Sequence, residues 1–318
     1  MTTAALFLVT ACATQPVDTR LGENGRVRFV GGGCSGTTAM AVGSREILTL
    51  EPVDTEELPA ELDVSATKPS VITASAVGPD KVLLQAHAAG ESRVELTTSL
   101  GLFDALTFSA EPAAAVSFQA AARVLAGGTL EVVVGEVFGS CKTSDCPLFG
   151  HSFLSWKGEP SAGLVLLADE GGTARFRAGE AQKVTLEARE PAVNAQLVAH
   201  ELEVVSAAGF TGLAAELTTI PLEDDEVAET VTLPGDVSRG KAFCVRVSAL
   251  LAEGPSVVLS RHDVRWRIDG DSVVPLATDH AREPFGTVFL ATETLGSAVL
   301  TAEVDLLDAD ATFELIVK

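Results

Sequence analysis

The residues of this 318-residue chain that could do chemistry are five cysteines, five histidines and several carboxylate clusters. Cys141 and Cys146 enclose the four residues KTSD. That gap is compatible with a loop-stapling disulfide where the compartment is oxidising. The same spacing could open a zinc site, but no second cysteine pair matches it and His151 is the lone histidine close by. Cys34 and Cys244 lie in distant stretches, so they either pair through a folded-back chain or remain two buried free thiols.

Calcium needs roughly six to eight oxygen ligands. Glu223, Asp224, Asp225, Glu226 and Glu229 crowd one stretch, Asp269 and Asp271 flank Gly270, and Asp305, Asp308 and Asp310 lie near the C-terminus. None has EF-hand spacing, so calcium ligation at Asp224, Asp225, Asp269 or Asp271 competes with plain solvated acidic loops. His87, His151, His200, His262 and His280 are scattered, and HELEV at His200 lacks the second histidine of a zinc protease helix. GGCSG around Cys34 has the outline of a nucleophile elbow but no strand-to-helix context, and reads as a tight turn. No phosphate-binding glycine loop is present. The chain is expected to be no enzyme and to need no cofactor.

Those residues must be held by strands. Hydrophobic residues make up 47% of the chain and charged residues 21%, the mix of a folded protein. The formal charge of −22 opposes binding to nucleic acid. One stretch recurs: WRIDGDSVVPLATD from Trp266 returns as WKGEPSAGLVLLAD from Trp156, and more faintly as VSATKPSVITASAV from Val64. Both Trp residues stand thirteen positions before an Asp, at Asp169 and Asp279. The two Trp are expected in the core. Each copy follows a Gly-led strand (AVGSREILTL, AGGTLEVVV, GKAFCVRV) and precedes a Gly-containing hairpin with Gly90, Gly179 or Gly296. Roughly six or seven short strands per unit give the strand spacing of a β-sandwich.

This order of Gly-led strand, Trp strand, Ser- or Pro-bearing turn and Gly hairpin resembles the group 2 bacterial Ig-like domains. The resemblance covers about residues 27–317, and it implies all-β, tandem Ig-like sandwiches that act as spacer, stalk or adhesive module. It brings no catalytic residue. Three units follow, over residues 27–111, 112–205 and 206–318, with PAAAVSFQAAA from Pro112 and SAAGFTGLAA from Ser206 as short linkers or brief helices. The absence of a long Gly/Ser coil predicts a stiff rod.

Val9-Thr10-Ala11-Cys12 resembles a bacterial lipobox, which implies a signal peptide over residues 1–11 and lipidation of Cys12. Residues 12–26 then read as a tether. The apolar run from Ala4 to Ala11 is too short to span a bilayer. Together these features predict a non-enzymatic cell-envelope lipoprotein, held by Cys12 to a membrane, the outer one favoured, with envelope or surface proteins as partners. The competing expectation is a calcium-dependent adhesin or ligand-binding surface protein that uses the Cys141–His151 insertion or the acidic loops.

Overall fold

The computed structural model describes residues 19–31, 38–53, 57–140, 147–152, 154–169, 172–191, 194–220, 228–276 and 286–318. Among these the chain is β throughout, with two 3-10 turns at Ala207–Gly209 and Asp305–Leu307 and no α-helix. The strands fall into three sets of like order. The first comprises β1 (Thr19–Leu21), β2 (Val27–Val30), β3 (Ala39–Ala41), β4 (Ser44–Pro52), β5 (Asp63–Ala66), β6 (Ile72–Gly78), β7 (Lys81–Ala86), β8 (Gly90–Thr98) and β9 (Gly101–Glu111). The second comprises β10 (Ala115–Ala120), β11 (Arg123–Leu125), β12 (Thr129–Phe138), β13 (Pro147–Leu148), β14 (His151–Ser152), β15 (Ser155–Glu159), β16 (Leu164–Asp169), β17 (Thr173–Ala178), β18 (Gln182–Arg189) and β19 (Gln196–Val205). The third comprises β20 (Phe210–Ile220), β21 (Thr230–Thr232), β22 (Gly235–Val237), β23 (Ala242–Leu251), β24 (Val257–Val258), β25 (Arg265–Asp269), β26 (Val273–Pro275), β27 (Val288–Thr292), β28 (Gly296–Val304) and β29 (Ala309–Val317).

Each set builds two facing sheets. In the first unit one sheet runs β1-β2-β4-β7-β6 and the other β3-β9-β8-β5. The second repeats this as β10-β12-β17-β16 against β11-β19-β18-β15, and the third as β21-β20-β23-β27-β26 against β22-β29-β28-β25. The short strands β3, β11 and β22 pair in parallel with the last strand of their own unit, while the other pairings are antiparallel. That is an Ig-like arrangement. The protein is therefore a tandem array of Ig-like β-sandwiches.

Alternation decides which residues meet inside. Val94 and Leu96 on β8, Val184, Leu186 and Ala188 on β18, and Ala298, Leu300 and Ala302 on β28 are all buried at every second position. They pack with Phe29 and Phe108 in the first core, Phe176 in the second, and Phe243 and Phe313 in the third, except that Ala188 joins the apolar cluster between the first two units. Gly43, Gly127 and Gly240 enter the strands β4, β12 and β23 with φ of 85°, 78° and 80°. A side chain is disfavoured there, which explains the glycine before each of these strands.

Two sequence readings change. The stretch read as tether supplies β1, whose Thr19 pairs with Val30 on the edge of the first sheet. The two stretches read as linkers or brief helices are largely strand, β10 and the start of β20. Val116 and Phe118 alternate inward on β10, and β20 runs on from the 3-10 turn. Edge pairing to β12 and β23 outweighs the helix propensity of alanine.

One exposed ion pair fastens the end of the first unit. Arg93 bonds Glu23 at 2.9 Å, and this guanidinium holds the Glu23 carboxyl below its usual range. A depressed carboxylate stabilises the fold at neutral pH and loses that contribution as pH falls through its folded-state value. Glu23→Gln should therefore lower the urea midpoint slightly at neutral pH, by an amount that vanishes as the pH falls through the lowered folded-state value of Glu23. The difference should shrink in high salt.

Candidate functional site

Among the described residues the chemistry-capable side chains do not converge. Cys12, Cys34, Cys141, Cys146, Asp224, Asp225 and His280 lie outside the described residues. Cys244 is fully buried beside Phe289 and Ile220. His87 Nε2 meets Thr73 Oγ1 at 3.0 Å on the surface, and the His200 ring meets Phe118 edge-on. Asp269 is exposed and faces Arg267 at 3.4 Å, while the main-chain oxygen of Asp271 accepts from Thr294. No three His, Cys, Asp or Glu side chains gather as a metal site among the described residues.

Specialised contacts gather instead where units meet. Between the first and second units the insertion after β12 crosses the boundary. Its residues Pro147 and Leu148 pair with β12, and after two intervening residues His151 and Ser152 pair with Arg45 and Ser44 of β4. Between them Phe149 is 2% exposed and joins the first unit's core, 5.9 Å from the Phe108 ring centroid. Arg20 of β1, itself buried, places its guanidinium 4.4 Å over the Phe149 ring and donates to Gly31 O. Gly150 turns the chain at φ 100°, and a Cβ there would stand 2.7 Å from Ser44 Oγ. Leu148, Leu154, Val116, Val137, Ala113 and Ala41 fill the seam with a separate apolar cluster.

The second junction uses the corresponding loop of the third unit, with polar chemistry. Asp263 accepts from Thr129 N at 2.7 Å and from Thr129 Oγ1 at 2.8 Å. Arg261 donates to Glu131 at 2.6 Å, and the Glu131 side chain is 6% exposed. Arg123 reaches Pro255 O across the same boundary. Leu125 and Val205 of the second unit are built into the third unit's core. In both junctions the loop of the later unit therefore docks at the start of the Gly-led strand of the earlier one. Asp263→Ala should leave both Thr129 donors without their acceptor and cost about 2 kcal/mol. The check is the urea midpoint, together with faster amide exchange at Thr129.

The thirteen-residue Trp–Asp spacing has a structural meaning. Trp156 Nε1 donates to Asp169 Oδ2 at 3.0 Å, so the pair ties β15 of one sheet to β16 of the other. The Trp156 ring stands edge-on to both Phe118 and Phe176. Trp266 holds the matching place on β25; its Nε1 is buried without a partner among the described residues, and Asp279 lies outside them. Asp169→Ala should cost about 1–2 kcal/mol and change Trp156 emission, which a Trp266→Phe background isolates.

The sequence reading missed Phe149, Asp263, Thr129, Arg261 and Arg20. The one available signal was Leu148-Phe149 followed by Gly150, an apolar pair set against a turn residue inside a polar insertion.

No family model matches this sequence, and no curated protein does. Solved structures resemble it in fold. Domains 4–9 of the surface layer protein SbsC align over 96% of this chain at 13% identity and a TM-score of 0.31, with 46% of that structure covered. The chain thus spans about half the length of that match. The Escherichia coli adhesin FdeC aligns over 87% of this chain and 93% of its own, at 13% identity and a TM-score of 0.27. Invasin, a bacterial integrin-binding protein, aligns over 88% and 57%, again at 13% identity and a TM-score of 0.27.

Proposed function

We propose that this chain is a non-enzymatic cell-envelope protein, lipid-anchored at Cys12, whose three docked sandwiches form a stiff spacer that presents an interaction surface away from the membrane. The observation that carries the reading is the pair of built junctions. A flexible string of domains has no use for a buried Phe149 or for a carboxylate aimed at the first residue of a strand in the preceding unit. Relative domain motion is the ordinary outcome for small polar interfaces, and here an apolar seam and shared core residues oppose it. The lipobox resemblance supports export and the anchor, with the outer membrane favoured. It also supports an oxidising compartment in which Cys141 and Cys146 form a loop disulfide.

The test is mass spectrometry of the mature N-terminus from the membrane fraction of the native host. Cys12 as first residue with added acyl mass, lost in Cys12→Ala, is the expected result. Recovery of intact Met1 in the soluble fraction would overturn the anchor. For the calcium-dependent adhesin reading, Asp269 and Asp271 gather no further ligands among the described residues, and Asp224 and Asp225 lie outside them.

A further inference from the structure

The three units share one exposed sheet edge, and they treat it differently. The last strand of the first sheet is β6 in the first unit, β16 in the second and β26 in the third. Open edges invite another strand, and proteins blunt them with short strands, proline, or small and polar residues. β6 is ITASAVG, where Thr73, Ala74, Ser75 and Ala76 leave Val77 as its one large exposed apolar residue. β26 has three residues and ends at Pro275. β16 is LVLLAD, with Val165 56%, Leu166 47% and Leu167 53% exposed in succession. Among the described residues no strand pairs with its outer side.

Its surroundings also differ in charge from the rest of a −22 chain. On the neighbouring β17, Ala174, Phe176 and Ala178 point into the core, so Arg175 and Arg177 point outward. Val165 pairs with Arg177 and Ala168 with Arg175, so both guanidinium groups lie on the outer face one strand in from the edge. A strand added beside β16 would sit about 10 Å from them, within a Debye length only at low salt. A second copy of this chain would bring the same two arginines and a further −22, which disfavours it as the occupant.

We propose that β16 is a docking edge that takes an extended segment of a partner protein by strand addition, apolar on its inward positions and acidic on its outward ones. Main-chain hydrogen bonds to β16 would supply affinity, Leu166 the apolar contact, and Arg177, which donates to the neutral Gly127 O and keeps its charge, the choice of charge. This deepens the interaction-module reading by placing its surface on the middle unit.

The probe is a labelled heptapeptide alternating glutamate and valine, titrated into the full chain by fluorescence anisotropy beside its lysine–valine counterpart. The acidic peptide should bind about tenfold more tightly than the basic one at low salt. Binding of the acidic peptide should be lost in the double variant Val165→Glu with Leu167→Glu, both at exposed positions. Val77→Lys, on the equivalent strand of the first unit, should leave it unchanged, and Arg177→Glu should reverse the charge preference. Equal affinity for both peptides, or retained binding in the double variant, overturns the proposal. So does a concentration-dependent dimer in sedimentation velocity that the double variant abolishes, because the occupant would then be a second copy. A soluble, unprocessed chain from the host would remove the envelope reading and leave this titration interpretable.

Discussion

Phe149→Ala is expected to release the first unit from the second and to make the first unit unfold earlier. The ring belongs by sequence to the second unit and by packing to the core of the first, against Phe108 and among Met40 and Leu48. Truncating a buried phenylalanine costs about 3–5 kcal/mol, because the lost transfer energy is joined by an unfilled cavity. Part of that loss is specific to this site: the Arg20 guanidinium, buried over the ring, would face a void. Calorimetry should resolve a separate, earlier transition for the first unit. A Phe149→Leu variant, which refills most of the volume, should recover over half of the stability. A substitution with no effect on that transition would mean that the crossing strand does not hold the junction.

Asp104→Ala should be comparably severe and confined to the first unit. This carboxylate is fully buried, and it accepts from four main-chain N–H groups. Asn24 N and Ala105 N donate to Oδ1 at 2.8 Å each, and Arg26 N and Val27 N donate to Oδ2 at 2.9 Å each. It thereby fixes the turn from β1 into β2, and Gly22 is needed beside it because a Cβ there would lie 2.4 Å from the carboxylate carbon. Alanine leaves buried donors unpaired, at a cost of about 3 kcal/mol or more. For a unit of this size that corresponds to a melting shift of roughly 12 °C or more. Asp104→Asn keeps the shape and one acceptor and should lose about half as much. Equal losses for the two variants would show that the pair of acceptor oxygens, and not the shape of the side chain, holds the turn.

These two residues also mark where sequence reading stops. Elements whose cause is local were legible. The Gly-led strands follow from glycines that adopt positive φ, and the alternation in β8, β18 and β28 follows from a sheet with one face in the core. The Trp156–Asp169 spacing was visible as a repeat, though the hydrogen bond that explains it was not. Contacts made at long range were hidden. Arg20 looked like part of a tether because β1 is only three residues long and owes its existence to pairing with β2. Phe149 looked like an insertion residue because its partners Phe108 and Met40 belong to another unit. Asp263 looked like any surface acid, since nothing local says that Thr129, 134 residues earlier, is its donor. Asp269 and Asp271, singled out for their turn, are exposed and gather no further ligands among the described residues.

The stiffness of the array is the central claim, and small-angle scattering of the full chain in solution tests it most directly. One rigid arrangement should fit the whole curve, with a maximum dimension unchanged between low and moderate salt. Phe149→Ala and Asp263→Ala should each convert it to a broader distribution of sizes. A wild-type curve that only an ensemble of freely oriented domains can fit would contradict the account.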